Sequence, residues 1–205
     1  MDQQQMWNQR FSKEGFMYGE HPNRFIQENS YRIKDKGKIL CMAEGEGRNA
    51  IFLAREGFDV EALDASDVGL DKLSKRAYDL QLKIKTTHID LFHWQPQEQY
   101  DAIIASFMHL PEPLRSKALK QAINCLAPKG IIIMEFFSKN QMLGDFPSGG
   151  PKDLSLLYDT QELAPLFDQK NLNIIQLEEI EDLLDEGWGH QGPASLIRLI
   201  VEKSS

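Results

Sequence analysis

One stretch, residues 38–64 (KILCMAEGEGRNAIFLAREGFDVEALD), constrains the fold more than any other. Residues 39–43 are an apolar run of strand length, and Glu44-Gly45-Glu46-Gly47 follows as a tight turn. A helix is expected from near Arg48, with Ala50, Ile51, Leu53 and Ala54 on its apolar face. Gly57 ends it, because glycine just past the last turn adopts the left-handed conformation freely. Residues 58–63 read as a second strand that runs into Asp64. The pattern is a βαβ unit with a glycine turn between strand and helix. Such a unit presents backbone N–H groups at the helix start, and a carboxylate at the next strand end suits ribose hydroxyls.

Gly45-x-Gly47-x-x-Ala50 fits the dinucleotide fingerprint with alanine in place of its last glycine. Asp64 follows Gly47 by 17 positions, close to the ~20 expected of a ribose-binding acid. The loop is acidic, however. A pyrophosphate there would meet Glu44 and Glu46. S-adenosylmethionine has no phosphate and carries a sulfonium and an ammonium, which carboxylates attract. The loop therefore favours S-adenosylmethionine over NAD or FAD; the alternative is a merely structural turn.

At 205 residues the chain has the length of one enzyme domain. A net charge of −8 and the lack of a basic cluster disfavour a nucleic-acid partner. No run of 18 apolar residues is present, so no membrane span is expected. The polar first ten residues lack an apolar signal core, and the expected location is cytoplasmic. Cys41 and Cys125 fall in a predicted strand and helix and read as buried free thiols. No Cys/His spacing suggests a structural zinc, and no metal is expected.

Taken in order, Trp7 and Phe11 share a helix face, Phe16 and Tyr18 lie in a glycine-bounded turn, and Pro22 begins a second helix. These aromatics either pack on the sheet or form a lid over a cofactor. Beyond Asp64, Ser66 or Asp67 caps a helix to about residue 82. Residues 84–89 are a short strand ending at Asp90-Leu91, where the acid either meets an adenine amino group or is solvated. Residues 100–106 form a buried strand, 113–126 a helix and 131–137 another strand. The irregular stretch 138–158 has the length of a loop that covers a site. A helix to residue 167 and a strand over 172–180 follow. The acidic run 178–186 reads as a solvated strand end and turn, and 195–201 as the last strand of an antiparallel hairpin. The expected fold is α/β, with a doubly wound, mostly parallel seven-stranded sheet closed by that hairpin. No boundary divides residues 1–205, and 1–35 form a helical lid segment.

Five alternating βα units and a closing hairpin resemble the class I S-adenosylmethionine-dependent methyltransferases. The residues that carry the resemblance are the 39–47 strand and loop, Asp64, Asp90-Leu91, Tyr100-Asp101 and the Leu126-x-Pro128-x-Gly130 turn. Gly47-Arg48-Asn49-Ala50, Tyr18-Gly19-x-x-Pro22-Asn23 and the isolated His190 look like the tellurite-resistance branch, near the thiopurine methyltransferases. Cys41 and Ala43 depart from the aspartate and glycine that many members carry there. The resemblance implies a Rossmann-like fold with Asp64 on the ribose, Glu44, Gly45 and Gly47 bordering the methionine part, Asp90 and Leu91 facing adenine, and Ser106 beneath the sulfonium. Trp7, Tyr18, Arg48 and Ala65 complete the expected cofactor-binding set. The reaction would be methyl transfer to a small molecule, such as a soft thiol- or chalcogen-type acceptor, by a monomer or homodimer. His190 and His109 are the candidate bases; a lone histidine can equally be structural. The competing readings are an NAD(P)-dependent oxidoreductase and a non-catalytic S-adenosylmethionine-binding protein.

Overall fold

The computed structural model describes residues 3–205. Five strands alternate with helices in the manner the sequence predicts: β1 (Lys38–Met42), β2 (Asp59–Asp64), β3 (Ile84–His88), β4 (Tyr100–Ser106) and β5 (Leu126–Phe137). Two long strands follow, β6 (Leu172–Glu186) and β7 (His190–Lys203). All seven form one sheet in the order β3-β2-β1-β4-β5-β7-β6. β1 to β5 are mutually parallel, and β7 runs antiparallel to both β5 and β6.

Alternation along the strands sends successive side chains to opposite faces. Leu40, Met42, Ile103, Ala105, Ile132 and Met134 pack on one side with α5 (Leu114–Cys125) and α7 (Thr160–Phe167). Ile39, Cys41, Ala62, Ile104 and Ile133 pack on the other, under α2 (Arg24–Asn29), α3 (Arg48–Arg55) and α4 (Asp67–Asp79). Both cysteines are free and buried in these layers. The strand order reverses between β1 and β4, and in open α/β sheets such a reversal opens a crevice beyond the strands' carboxyl ends.

Several boundaries differ from the sequence reading; β5 begins at Leu126 rather than 131 and β7 at His190 rather than 195. α2 starts at Arg24, because the Asn23 side chain caps it by accepting the Ile26 N–H at 3.1 Å. The 138–158 stretch contains a short helix, α6 (Asn140–Leu143). The largest difference is β6, which continues through the acidic run to Glu186 and pairs with β7 along its length. Its acids have partners distant in sequence: Asp182 binds Arg24 and Arg198, and Glu186 binds Arg48. Of the 1–35 segment, α1 (Gln3–Phe11) and the chain up to Pro22 cross the carboxyl ends of the strands; residues 1–2 lie outside the described residues.

The glycine turn is built tightly. Gly47 sits at φ 86°, and a Cβ there would lie 2.2 Å from Leu73 Cδ1. Gly57 has a similar φ of 91° but open space around it. Gly57→Ala therefore bears only the left-handed backbone cost, about 1–2 kcal/mol. Gly47→Ala adds overpacking against α4, for roughly 2–4 kcal/mol in all. Urea unfolding of the two variants measures the difference, and equal losses would contradict the Leu73 contact.

Candidate active site

A cleft of about 840 Å³ opens beyond the carboxyl ends of β1, β2 and β4, within the size range of small-ligand sites. The sheet supplies Ala43, Asp64 and Ser106, and α1 supplies Trp7 and Phe11 from above. Of the thirteen residues the sequence singles out, all but Gly47 and Asp90 line this cleft. Gly47 faces Leu73 of α4 and shapes the turn from behind. Asp90 is exposed and spends its carboxylate on its own loop, accepting the Phe92 N–H at 2.8 Å. Its neighbour Leu91 is buried and does line the cleft.

The two acids of the glycine loop do different work. Glu44 is buried, and its Oε1 accepts the N–H groups of Asn49 and Ala50, both at 2.8 Å. These are donors an N-cap side chain would satisfy, and the cap residue Gly47 has no side chain. Burial pushes the Glu44 carboxyl up to about 7, against those hydrogen bonds and Arg48. Glu46 turns away from the cleft. It accepts the Met17 N–H at 2.7 Å and pairs with Lys72 at 2.7 Å, so its charge is spent holding the N-terminal segment. Of the two acids, Glu44 alone lines the cleft.

Asp64 closes the loop onto β2. One carboxylate oxygen accepts the Gly45 N–H at 2.8 Å and the other the Ser66 N–H at 2.7 Å. Burial raises its pKa, opposed by these backbone donors. Each oxygen keeps a second lone pair.

The two histidines diverge. His109 uses both ring nitrogens: Nδ1 donates to Leu156 O at 2.9 Å, and Nε2 accepts the Phe137 N–H at 3.4 Å. Burial drives its pKa down to about 3. It ties the loop after β4 to β5 and is corrected here to a structural role. His190 opens β7, not an exposed turn, and is 4% exposed. Its Nδ1 lies 3.3 Å from Glu186 Oε2. Rings of Phe107, Tyr18 and Phe137 stand 4.3, 4.4 and 4.9 Å from it, centroid to centroid. Burial lowers its pKa despite the carboxylate, so the pair at neutral pH is a neutral imidazole donating to an anion. Nε2 has no hydrogen-bond partner among the described residues, and the residue lines the cleft.

Sequence reasoning missed Glu186, Asn23 and Asn49 as parts of this site. The Asn23 amide donates to Glu135 at 2.6 Å and to Glu186 at 2.9 Å. Arg48 meets Glu186 at 2.9 Å. Asn49 donates to Ser106 Oγ at 2.9 Å and accepts the Asn23 N–H at 2.9 Å. The only sequence signal for Asn23 and Asn49 was their adjacency to Pro22 and to the glycine turn; the acids that Asn23 and Arg48 meet lie more than a hundred positions away.

Residues 39–130 match the family model described as a methyltransferase domain. The glycine/sarcosine N-methyltransferase of Parasynechococcus marenigrum (strain WH8102) is 29% identical over 143 residues, 67% of this chain and 48% of that protein. The chain thus spans about half the length of this relative. TehB from Haemophilus influenzae superposes with a TM-score of 0.71 at 18% identity, over 98% of this chain and 67% of TehB. The N-methyltransferase NodS from Bradyrhizobium japonicum, solved with S-adenosyl-L-homocysteine, superposes with a TM-score of 0.71 at 11% identity, over 98% of both chains. Residues 39–130 are thus similar to a methyltransferase domain, and the fold as a whole is the Rossmann-like one of these solved structures.

Glu44 gives a test of the loop geometry. Its folded pKa of about 7 exceeds the ordinary 4.5, so the folded state binds more protons than the unfolded chain between those values. Stability from this group is full below pH 4.5 and is lost as pH rises through about 7. Glu44→Gln keeps an oxygen for the two N–H groups and cannot ionise. Between about pH 5 and about pH 8 the parent should lose roughly 1–3 kcal/mol more than the variant. Chemical denaturation at both pH values checks this; parallel curves would refute a buried, titrating Glu44.

Proposed function

We propose that this chain is an active S-adenosylmethionine-dependent methyltransferase whose acceptor is a small molecule with a soft, thiol- or chalcogen-type nucleophile. The observation that carries the reading is that one cleft holds both the Asp64 carboxylate and the open Nε2 of a buried, neutral His190. The donor set fits the cofactor. The N–H groups at the start of α3, which would otherwise take a phosphate, are already occupied by Glu44. A dinucleotide pyrophosphate would compete with that carboxylate, whereas a sulfonium and an ammonium are attracted to it. This weighs against the NAD(P) reading.

In this reading the free lone pairs of Asp64 take the ribose hydroxyls. Leu91 and Ala65 flank the adenine, and Trp7 covers it from α1. Glu44, Gly45 and Arg48 border the methionine part, and Ser106, oriented by Asn49, lies beneath the reacting centre. Tyr18, Phe107 and Phe137 form an aromatic wall around His190. Such a wall excludes water and suits a polarizable acceptor, since sulfur packs favourably against rings. S-adenosylmethionine supplies an electrophilic methyl on a leaving group that departs as a neutral thioether. The protein then has to hold the nucleophile in line and take its proton, and positioning of this kind supplies up to ~7–11 kcal/mol. His190 Nε2 receives the acceptor proton. We further read residues 1–205 as one domain with α1 and the following segment as its lid, acting in the cytoplasm as a monomer or homodimer. A chain charge of −8 supports a partner other than nucleic acid.

S-adenosylhomocysteine should bind in titration calorimetry and NAD should not. Saturable NAD binding with no adenosylhomocysteine signal would sink the reading, and binding without turnover across a panel of thiol acceptors would leave a non-catalytic binder. His190→Ala should leave adenosylhomocysteine affinity nearly intact and lower turnover by roughly 10²-fold. The loss should shrink for acceptors already ionised at the assay pH, which need no base. Full activity in the variant would return His190 to a packing role.

A further inference from the structure

The mechanism above leaves the buried acid beside His190 unused. Glu186 lies at the end of β6, 9% exposed, directly across the β6–β7 pairing from His190. Its Oε2 meets both Arg48 Nη2 at 2.9 Å and His190 Nδ1 at 3.3 Å. Its Oε1 accepts from the Asn23 amide at 2.9 Å. Arg48 also donates to Tyr18 O at 3.4 Å, so the guanidinium is braced on the segment that walls His190. A surface acid would need none of this. A carboxylate held by an arginine and an amide cannot turn away from the imidazole.

We propose that Glu186 is the positioning residue of the base, fixing His190 with Nδ1–H directed to its carboxylate and Nε2 turned to the acceptor. The inference rests on the reading of His190 as base. It explains why an imidazole whose Nδ1 could otherwise be unprotonated presents a lone pair on Nε2: the anion accepts only from an N–H, and this selects the tautomer. Proton and charge balance follow. As the acceptor–methyl bond forms and the sulfur–methyl bond breaks, the acceptor proton moves to Nε2. The positive charge of the sulfonium is thereby replaced by an imidazolium beside Glu186. The proton then leaves to water.

The groups that bear on His190 are known from every side. Glu186 on β6 favours the imidazolium. Arg48 on α3 opposes it, and burial opposes it most. Tyr18 on the N-terminal segment carries a phenol raised by burial, and His109, in the loop after β4, is neutral. Burial would lift Glu186, but Arg48 and His190 hold its carboxyl below the ordinary value. Glu186 is thus the anion in this shell whose removal must lower the basicity of His190.

The experiment is ¹⁵N NMR of the histidine-labelled full chain, with His190→Ala assigning the signals, combined with turnover of 2-mercaptoethanol and thiophenol. In the parent, His190 should be neutral with its proton on Nδ1. In Glu186→Gln the Nδ1–H form should lose its dominance, and the His190 pKa should fall by roughly one unit. Turnover of the less acidic 2-mercaptoethanol should fall about tenfold or more, and that of the largely ionised thiophenol by less. Adenosylhomocysteine titration checks that the cofactor side is intact. If Glu186→Gln does not fold, Glu186→Asp replaces it, with the same tautomer and a weakened, longer contact. A parent with the proton on Nε2, or a variant with unchanged tautomer and pKa, overturns the proposal. Adenosylhomocysteine binding with the predicted tautomer, but full activity in His190→Ala, overturns the base and with it the role of Glu186, while the cofactor reading stands. Loss of adenosylhomocysteine binding in the parent itself defeats the cofactor reading alone, since the NMR result does not depend on it.

Discussion

Two carboxylates, Glu135 and Glu186, lie buried on neighbouring parts of the sheet and are bridged by a single amide, that of Asn23. Left alone, like charges in a dry interior would be costly. Arg198 neutralises Glu135 at 2.7 Å, Arg48 neutralises Glu186, and Asn23 donates one N–H to each. The rest of the site depends on this arrangement. It joins β5, the β6–β7 hairpin, α3 and the N-terminal segment at one point, and the same Asn23 caps α2. A polar junction of this kind tolerates few alternative packings, because any other leaves a buried charge without its partner.

Much of the fold was legible because it is written locally. The apolar run of β1, the amphipathic period of α3 and the glycine turn between them depend on neighbours in sequence, and they were read correctly down to Asp64. The acidic end of β6 was misread for the opposite reason. Glu178, Glu179, Glu181 and Asp185 are exposed as read, but the segment is strand rather than turn, and Asp182 and Glu186 face Arg24, Arg198 and Arg48, which only the fold brings to them.

The site shows the same division. Asp64, Ser106 and Leu91, expected from the strand-end rule and the family resemblance, all line the cleft. The separation of Glu44 from Glu46 could not be found, since it turns on which carboxylate Lys72 and Met17 reach. Nor could the difference between the histidines. Both follow sheet elements in aromatic surroundings, and only the hydrogen bonds show that His109 has no nitrogen to spare while His190 has one.

The β6–β7 tip touches the N-terminal segment backbone to backbone. The Gly189 N–H reaches Met17 O at 2.9 Å, and a Cβ on Gly187 would fall 2.3 Å from Gly19 N. This contact has a meaning for the order of biosynthesis. The 38–64 unit can collapse as soon as it leaves the ribosome, for its contacts are close in sequence. The wall of the cleft cannot, because Tyr18 and Gly19, although their neighbours Met17 and Asn23 already find Glu46 and Asn49, meet their hairpin partners only once residues 186–190 have been translated. The reactive chamber is therefore the last region to close during vectorial synthesis, and the Tyr18 ring, without its His190 neighbour, spends that interval among the groups exposed to misassociation.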